Sequence, residues 1–127
     1  MTPAGPPAPA GSGPSPRRAL GIRGEQLIAD WYGARGYEVV ARNWRCADGE
    51  LDLILRLGRQ FVFCEVKARS STAFGAPVEA VTRTKQARIR RLAARWLDDA
   101  APVRPREIRF DVASVLDGQI EVLEGAF

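Results

Sequence analysis

The stretch from Glu50 to Lys67 constrains this chain more than any other part of it. It reads ELDLILRL, then Gly58-Arg59, then QFVFCEVK. Two apolar runs around a glycine-containing turn are the mark of a β-hairpin. With Gly58 and Arg59 as the two loop residues, Leu57 pairs with Gln60. Counting back sets Asp52 opposite Glu65 and Glu50 opposite Lys67. Side chains alternate with period two, so Asp52, Glu65 and Lys67 share one face of the sheet. Leu51, Leu53 and Leu55 then meet Val66, Cys64 and Val62 on the other face, which reads as core. A three-residue loop would shift the pairing by one and send Asp52 to the opposite face. Like charges directly opposite each other destabilise a strand pair, so two acids kept there imply a cation between them. The plainer alternative is a hairpin with a charged, solvated end.

At 127 residues, 46% of them hydrophobic, the chain suffices for one small domain with a real core. No apolar run is long enough to span a bilayer. Residues 1–19 hold six of the nine prolines and are otherwise mostly Ala, Gly and Ser, with Arg17-Arg18 near the end. They lack the apolar centre of a signal peptide and read as a disordered tail. Residues 20–127 are left as the folded domain.

Cys46 and Cys64 do not form a metal-ligand spacing. Cys64 falls at an inward strand position and reads as a small buried apolar residue. This usage fits the reducing cytoplasm. There is no histidine. That excludes histidine triads, zinc–histidine sites and histidine general bases. Hydrolytic chemistry on this chain must use carboxylates, lysine, hydroxyls or a metal held by oxygen ligands.

The formal net charge is +4. Its distribution says more: from Arg56 to Arg95 there are ten Lys or Arg and only two acids, Glu65 and Glu79. A basic stretch beside a carboxylate site suits a polyanionic substrate.

Leu20 to Arg35 has helical periodicity, with Leu20, Leu27, Ile28, Trp31 and Ala34 as its apolar stripe and Gly36 just past its end. Glu25, three residues before Ile28 and seven before Tyr32, borders that stripe. It is either a surface charge or a carboxylate aimed into a site. Tyr37 to Arg42 is a strand candidate. Trp44, between Asn43 and Arg45, either stacks on a base or packs on the core edge. A polar loop from Arg69 to Gly75, read as mobile, follows the hairpin. Thr82 or Thr84 caps a long helix to about Asp98. Its apolar stripe is Ile89, Leu92, Ala93, Trp96 and Leu97. Arg83, Lys85, Arg88, Arg90, Arg91 and Arg95 form a face that is either merely solvated or phosphate-contacting. Glu107 to Leu116 alternates with Ile108, Phe110 and Val112 inward, and Asp117-Gly118 turns the chain into Gln119–Leu123. The order helix, three strands, helix, two strands predicts an α/β domain with a mixed sheet.

These residues resemble a known pattern. Glu25, the run Gly49-Glu50-Leu51-Asp52-Leu53-Ile54, Glu65-Val66-Lys67, Phe74-Gly75 and Glu79-Ala80-Val81 with Lys85 and Arg88 look like the YraN family of bacterial proteins. That family is similar to the restriction-endonuclease-like superfamily with its PD-(D/E)XK signature, and within it to archaeal Holliday-junction resolvases. The likeness covers roughly Leu20 to Leu123, and Leu51 stands where the signature has proline. It implies a restriction-endonuclease-like mixed sheet flanked by helices, and a metal-dependent endonuclease acting on DNA, branched DNA included. It implies that Asp52, Glu65 and the backbone carbonyl of Val66 bind Mg²⁺ or Mn²⁺. Glu25 would be a third acid, and Lys67 would orient water or stabilise the phosphate. The likeness to resolvases makes a two-fold homodimer expected, and the basic face of the second helix, independently, sets Arg83, Lys85, Arg88 and Arg91 as the expected phosphate contacts. The alternative is a non-catalytic nucleic-acid-binding module that keeps the cation site.

Overall fold

Ser15 and Pro16 open the first helix. In a computed structural model, which describes residues 15–69 and 81–127, α1 spans Pro16–Gly33. The Ser15 hydroxyl accepts the Arg18 N–H at 3.1 Å, and Pro16 takes the first-turn position where its missing N–H costs nothing. Ser15 to Ala19, read from sequence as the end of the tail, therefore belong to the helix. Pro16, counted among the prolines of the tail, is here a helix opener. Residues 1–14 and the loop from Ser70 to Gly75 lie outside the described residues.

Five strands follow: β1 Glu38–Cys46, β2 Gly49–Leu57, β3 Gln60–Arg69, β4 Glu107–Leu116 and β5 Gln119–Leu123, with α2 (Arg83–Ala100) between β3 and β4. They form one mixed sheet in chain order, parallel only at β3–β4. The expected element order and α/β class are both present. No described helix is long and apolar enough to cross a membrane.

The two-residue loops set the registers. Gly58 has φ +61°, as the first loop residue of a type II′ turn requires. Leu57 pairs with Gln60, and the ladder runs back to Leu53–Cys64, the register expected from sequence. Asp117 and Gly118 both have positive φ, the type I′ pattern.

Each face of the sheet is covered by one helix. Ile28, Ala29 and Tyr32 of α1 bury Leu53, Leu55, Val62, Cys64, Ala113 and Val115. Ile89, Leu92, Ala93 and Trp96 of α2 bury Leu51, Ile54, Phe61, Phe63 and Val112, with Trp44 packed at the margin. Thr82 is the cap of α2, accepting the Lys85 N–H at 3.2 Å.

Three expectations change. Leu27, placed in the stripe of α1, is 37% exposed, whereas Tyr32 is fully buried. The working face of α1 is Gly24, Ile28, Ala29 and Tyr32. Apart from Ile28 it is built from small residues and a polar-tipped aromatic, which a count of large apolar residues passes over. A Cβ on Gly24 would lie 2.7 Å from the Ala68 Cβ, so glycine lets this helix sit close on β3. Ile108 is 43% exposed, lining a surface cleft with Ala94 and Leu97 of α2. Finally, Leu51 does not share a core face with Leu53 and Leu55. It packs under α2 while they pack under α1. Residues two apart on a regular strand share a face, so the alternation breaks between Leu51 and Leu53, at Asp52.

Candidate active site

That break makes the site. The β2–β3 pairing ends at Leu53–Cys64. A continuing ladder would next give the Val66 N–H to the carbonyl of Leu51. Instead the Asp52 side chain takes it, with Oδ2 2.9 Å from the Val66 nitrogen. On the other side of β2, the β1–β2 pairs run from Arg42–Leu53 to Trp44–Leu51, with Asn43 between them at φ +48°. Both neighbours of β2 are thus irregular at Asp52. The carboxylate turns into the splayed end of the hairpin instead of following the pleat.

Glu65 lies beside it, 8% exposed. Its Oε1 receives two ammonium groups, Lys67 Nζ at 3.3 Å and Lys85 Nζ at 2.7 Å. The first comes from the next same-face position of β3 and the second from the first turn of α2. Lys67 therefore pairs with Glu65, not with Glu50 as counting across the hairpin suggested. Glu50 pairs with its β1 neighbour Arg45 at 3.1 Å. Glu25 is half-buried on α1, where its Oε2 accepts from Asn43 Nδ2 at 3.1 Å.

Electrostatics distinguish these groups. Burial, then repulsion from Glu65, pushes the Asp52 carboxyl from an ordinary 3.8 up to about 8. The Val66 N–H works the other way without winning. Burial also raises Glu25, against its bond from Asn43, and Glu50 and Glu65 add to the rise. Lys67 is lowered, by burial and then by the neighbouring Lys85. Burial works against the Lys85 ammonium too, but its bond to Glu65 outweighs it and raises its pKa. Asp52, Glu65, Lys67 and Lys85 are thus brought together, with Glu25 at the α1 side. Arg83, Arg88 and Arg91 lie on the exposed face of α2, and no ion pair involves them among the described residues. Lys85 departs from its expected place on that outer face.

Sequence reasoning missed a second polar centre. Asp111 of β4 is fully buried. It takes both Arg109 Nε and Nη2, at 2.8 and 2.9 Å, the Gly125 N–H at 2.9 Å, and the Tyr32 hydroxyl. Every lone pair it needs to share is used, and this ties α1 to the sheet. The signal was present in the R-F-D alternation of β4, where Arg109 and Asp111 share a face.

The fold and site define a small α/β protein with an acid–lysine centre at the splayed end of a mixed sheet. Residues 24–115 match the family described as "Uncharacterised protein family UPF0102", and the chain belongs to this family, the YraN family that its motifs resemble. A UPF0102 protein of Beutenbergia cavernae is 59% identical over 98 residues, covering 77% of this chain and 82% of its own. One from Frankia alni is 51% identical over 114 residues, covering 86% and 94%. One from Nocardia farcinica is 54% identical over 101 residues, covering 79% and 78%.

Proposed function

We propose that this protein is a metal-dependent, nuclease-like enzyme acting on DNA, branched, Holliday-junction-like DNA included, with a two-fold homodimer as its working form. The observation that carries the reading is the convergence of Asp52 and Glu65, with Lys67, where the β2–β3 ladder opens. A desolvated acid pair of this kind needs positive charge, and a basic helix face adjoins it.

The donor set fits a hard cation. It offers oxygen ligands and no histidine. Among the described residues no group of three or more His, Cys, Asp or Glu side chains converges, so an ion here would be held by one or two carboxylates and keep most of its water. Asp52, Glu65 and the Val66 carbonyl would hold Mg²⁺ or Mn²⁺, whose chemistry when bound is to acidify water and neutralise phosphoryl charge. Val66 gives its N–H toward β2, and a strand residue's N–H and C=O point to the same neighbour, so that carbonyl also points to the β2 side. Lys67, its pKa lowered by burial, sits where it can orient a water or a non-bridging oxygen. Glu25 and Asn43 close the α1 side. Arg83, Arg88 and Arg91 supply phosphate contacts that fix the duplex without reading it.

The test is a cleavage panel of linear, flapped and four-way DNA with Mg²⁺ and Mn²⁺. Lys67→Arg should keep the fold and ion binding yet lose about a hundredfold in single-turnover rate, because a planar guanidinium displaces the donors by roughly 1 Å. Equal rates would remove Lys67 from the chemistry. Binding has its own measure. Log affinity should fall linearly with log salt, and Arg83→Ala, Arg88→Ala and Arg91→Ala should each flatten that slope by about one unit. An unchanged slope in the triple variant would leave this face merely solvated.

One observation favours a second reading. Glu65 already has two ammonium partners and needs no metal for neutrality. A DNA-binding module with a self-compensated site would bind every substrate in the panel and cut none.

A further inference from the structure

We propose that Lys85 is a built-in counter-cation of Glu65, a positioning residue that a divalent ion displaces and whose freed ammonium then serves a substrate phosphate. The inference rests on the metal-dependent reading above. The chain has 17 arginines and two lysines, Lys67 and Lys85. Both ammonium groups meet at one atom, Glu65 Oε1.

Nothing in the helix itself favours a cation at position 85. Lys85 lies in the first turn of α2, three residues after the cap Thr82, where the free amides make the helix end positive. Its backbone is pinned there, with the N–H bound to Thr82 Oγ1 at 3.2 Å. The side chain leaves a fixed point and crosses from the helix layer to the sheet. What draws it is Glu65, whose side chain is only 9% exposed. A carboxylate so placed is costly without a positive partner. Lys67 already offers one at 3.3 Å, and Lys85 comes closer, at 2.7 Å.

A divalent ion on Glu65 seeks the same oxygen. Of the two ammonium groups, that of Lys85 is the freer to yield. Its side chain is 31% exposed against 21% for Lys67. It also leaves from the helix whose nearest exposed cations are Arg83 and Arg88. Displaced from Glu65, it would join them where a phosphate would lie. Lysine suits the task. Its compact ammonium on a flexible stem can release and rebind, whereas a guanidinium would lock onto the carboxylate with two bonds.

With two lysines in the whole chain, [¹³Cε]lysine labelling yields two side-chain signals, assigned through Lys67→Arg. Titrating Mg²⁺ without nucleic acid should move the Lys85 signal in step with ion binding. By calorimetry, Lys85→Met should bind Mn²⁺ about two- to fivefold more tightly than the native chain, the ratio set by a partly buried ion pair that no longer competes. If the ion binds while the Lys85 signal stays fixed, or if Lys85→Met binds no tighter, the counter-cation role falls and the metal reading stands. If neither protein binds a divalent ion, both fall. Should Lys85→Met fail to fold, the titration of the native chain decides alone.

Discussion

Asp111→Ala should lower folding stability by about 3–5 kcal/mol, the cost of removing one partner of a buried ion pair. Asp111 is fully buried and serves four donors from three parts of the chain. Alanine would leave the Arg109 guanidinium, only 17% exposed, without its bidentate acceptor. It would also orphan the Tyr32 hydroxyl and the Gly125 N–H inside the fold. Tyr32→Phe, by contrast, removes one donor and leaves Asp111 satisfied by the others, so it should cost only about 1 kcal/mol. Urea melts of the two variants separate these outcomes, and Asp111→Ala melting with the native chain would refute the account. The consequence reaches the site. Tyr32 and Glu25 are seven residues apart on α1, two helical turns along one face. Loosening Tyr32 from Asp111 frees the helix that carries Glu25.

Asp111 also shows where sequence legibility stopped. The turn at Gly58-Arg59 and the strand order were readable, because loop length and local chemistry decide them. The register followed, and with it the neighbourhood of Asp52 and Glu65. Alternation in β4 was read as apolar-in and polar-out, with Ile108, Phe110 and Val112 inside. That rule assumes one wet face. Here α1 and α2 cover both faces, so the residues between the apolar ones are buried as well. Asp111 faces Tyr32, and Ile108 is the exposed one. The face change between Leu51 and Leu53 was invisible for a related reason. It depends on Asn43 and on the Asp52 carboxylate replacing a backbone acceptor, both of them contacts between strands. Lys85 looked like one more cation on a basic helix. Only its position against β3 separates it from Arg83 and Arg88.

Asp52→Asn should abolish divalent-ion binding and cleavage together, with a rate loss beyond about a hundredfold, since even the outer partners of metal ligands commonly cost 10- to 100-fold. Asparagine keeps the size of the side chain and an oxygen for the Val66 N–H, so the fold should hold. The stronger signature appears without any ion. The folded Asp52 carboxyl titrates at about 8 instead of 3.8, because burial and Glu65 oppose its charge. The folded state therefore holds this proton more tightly than the unfolded chain. The resulting stability is fully present below about pH 4 and is lost as pH rises through about 8, at up to about 1.4 kcal/mol per pH unit. In chelator-treated protein the native chain should weaken between those limits, and Asp52→Asn should not, so the variant becomes the more stable of the two near pH 8. Mg²⁺ should then restore the native chain at pH 8 by binding only its folded state, and leave Asp52→Asn unchanged. Parallel pH profiles for the two proteins would mean that Asp52 is solvated and ionised like an ordinary surface acid, and the site would lose its centre.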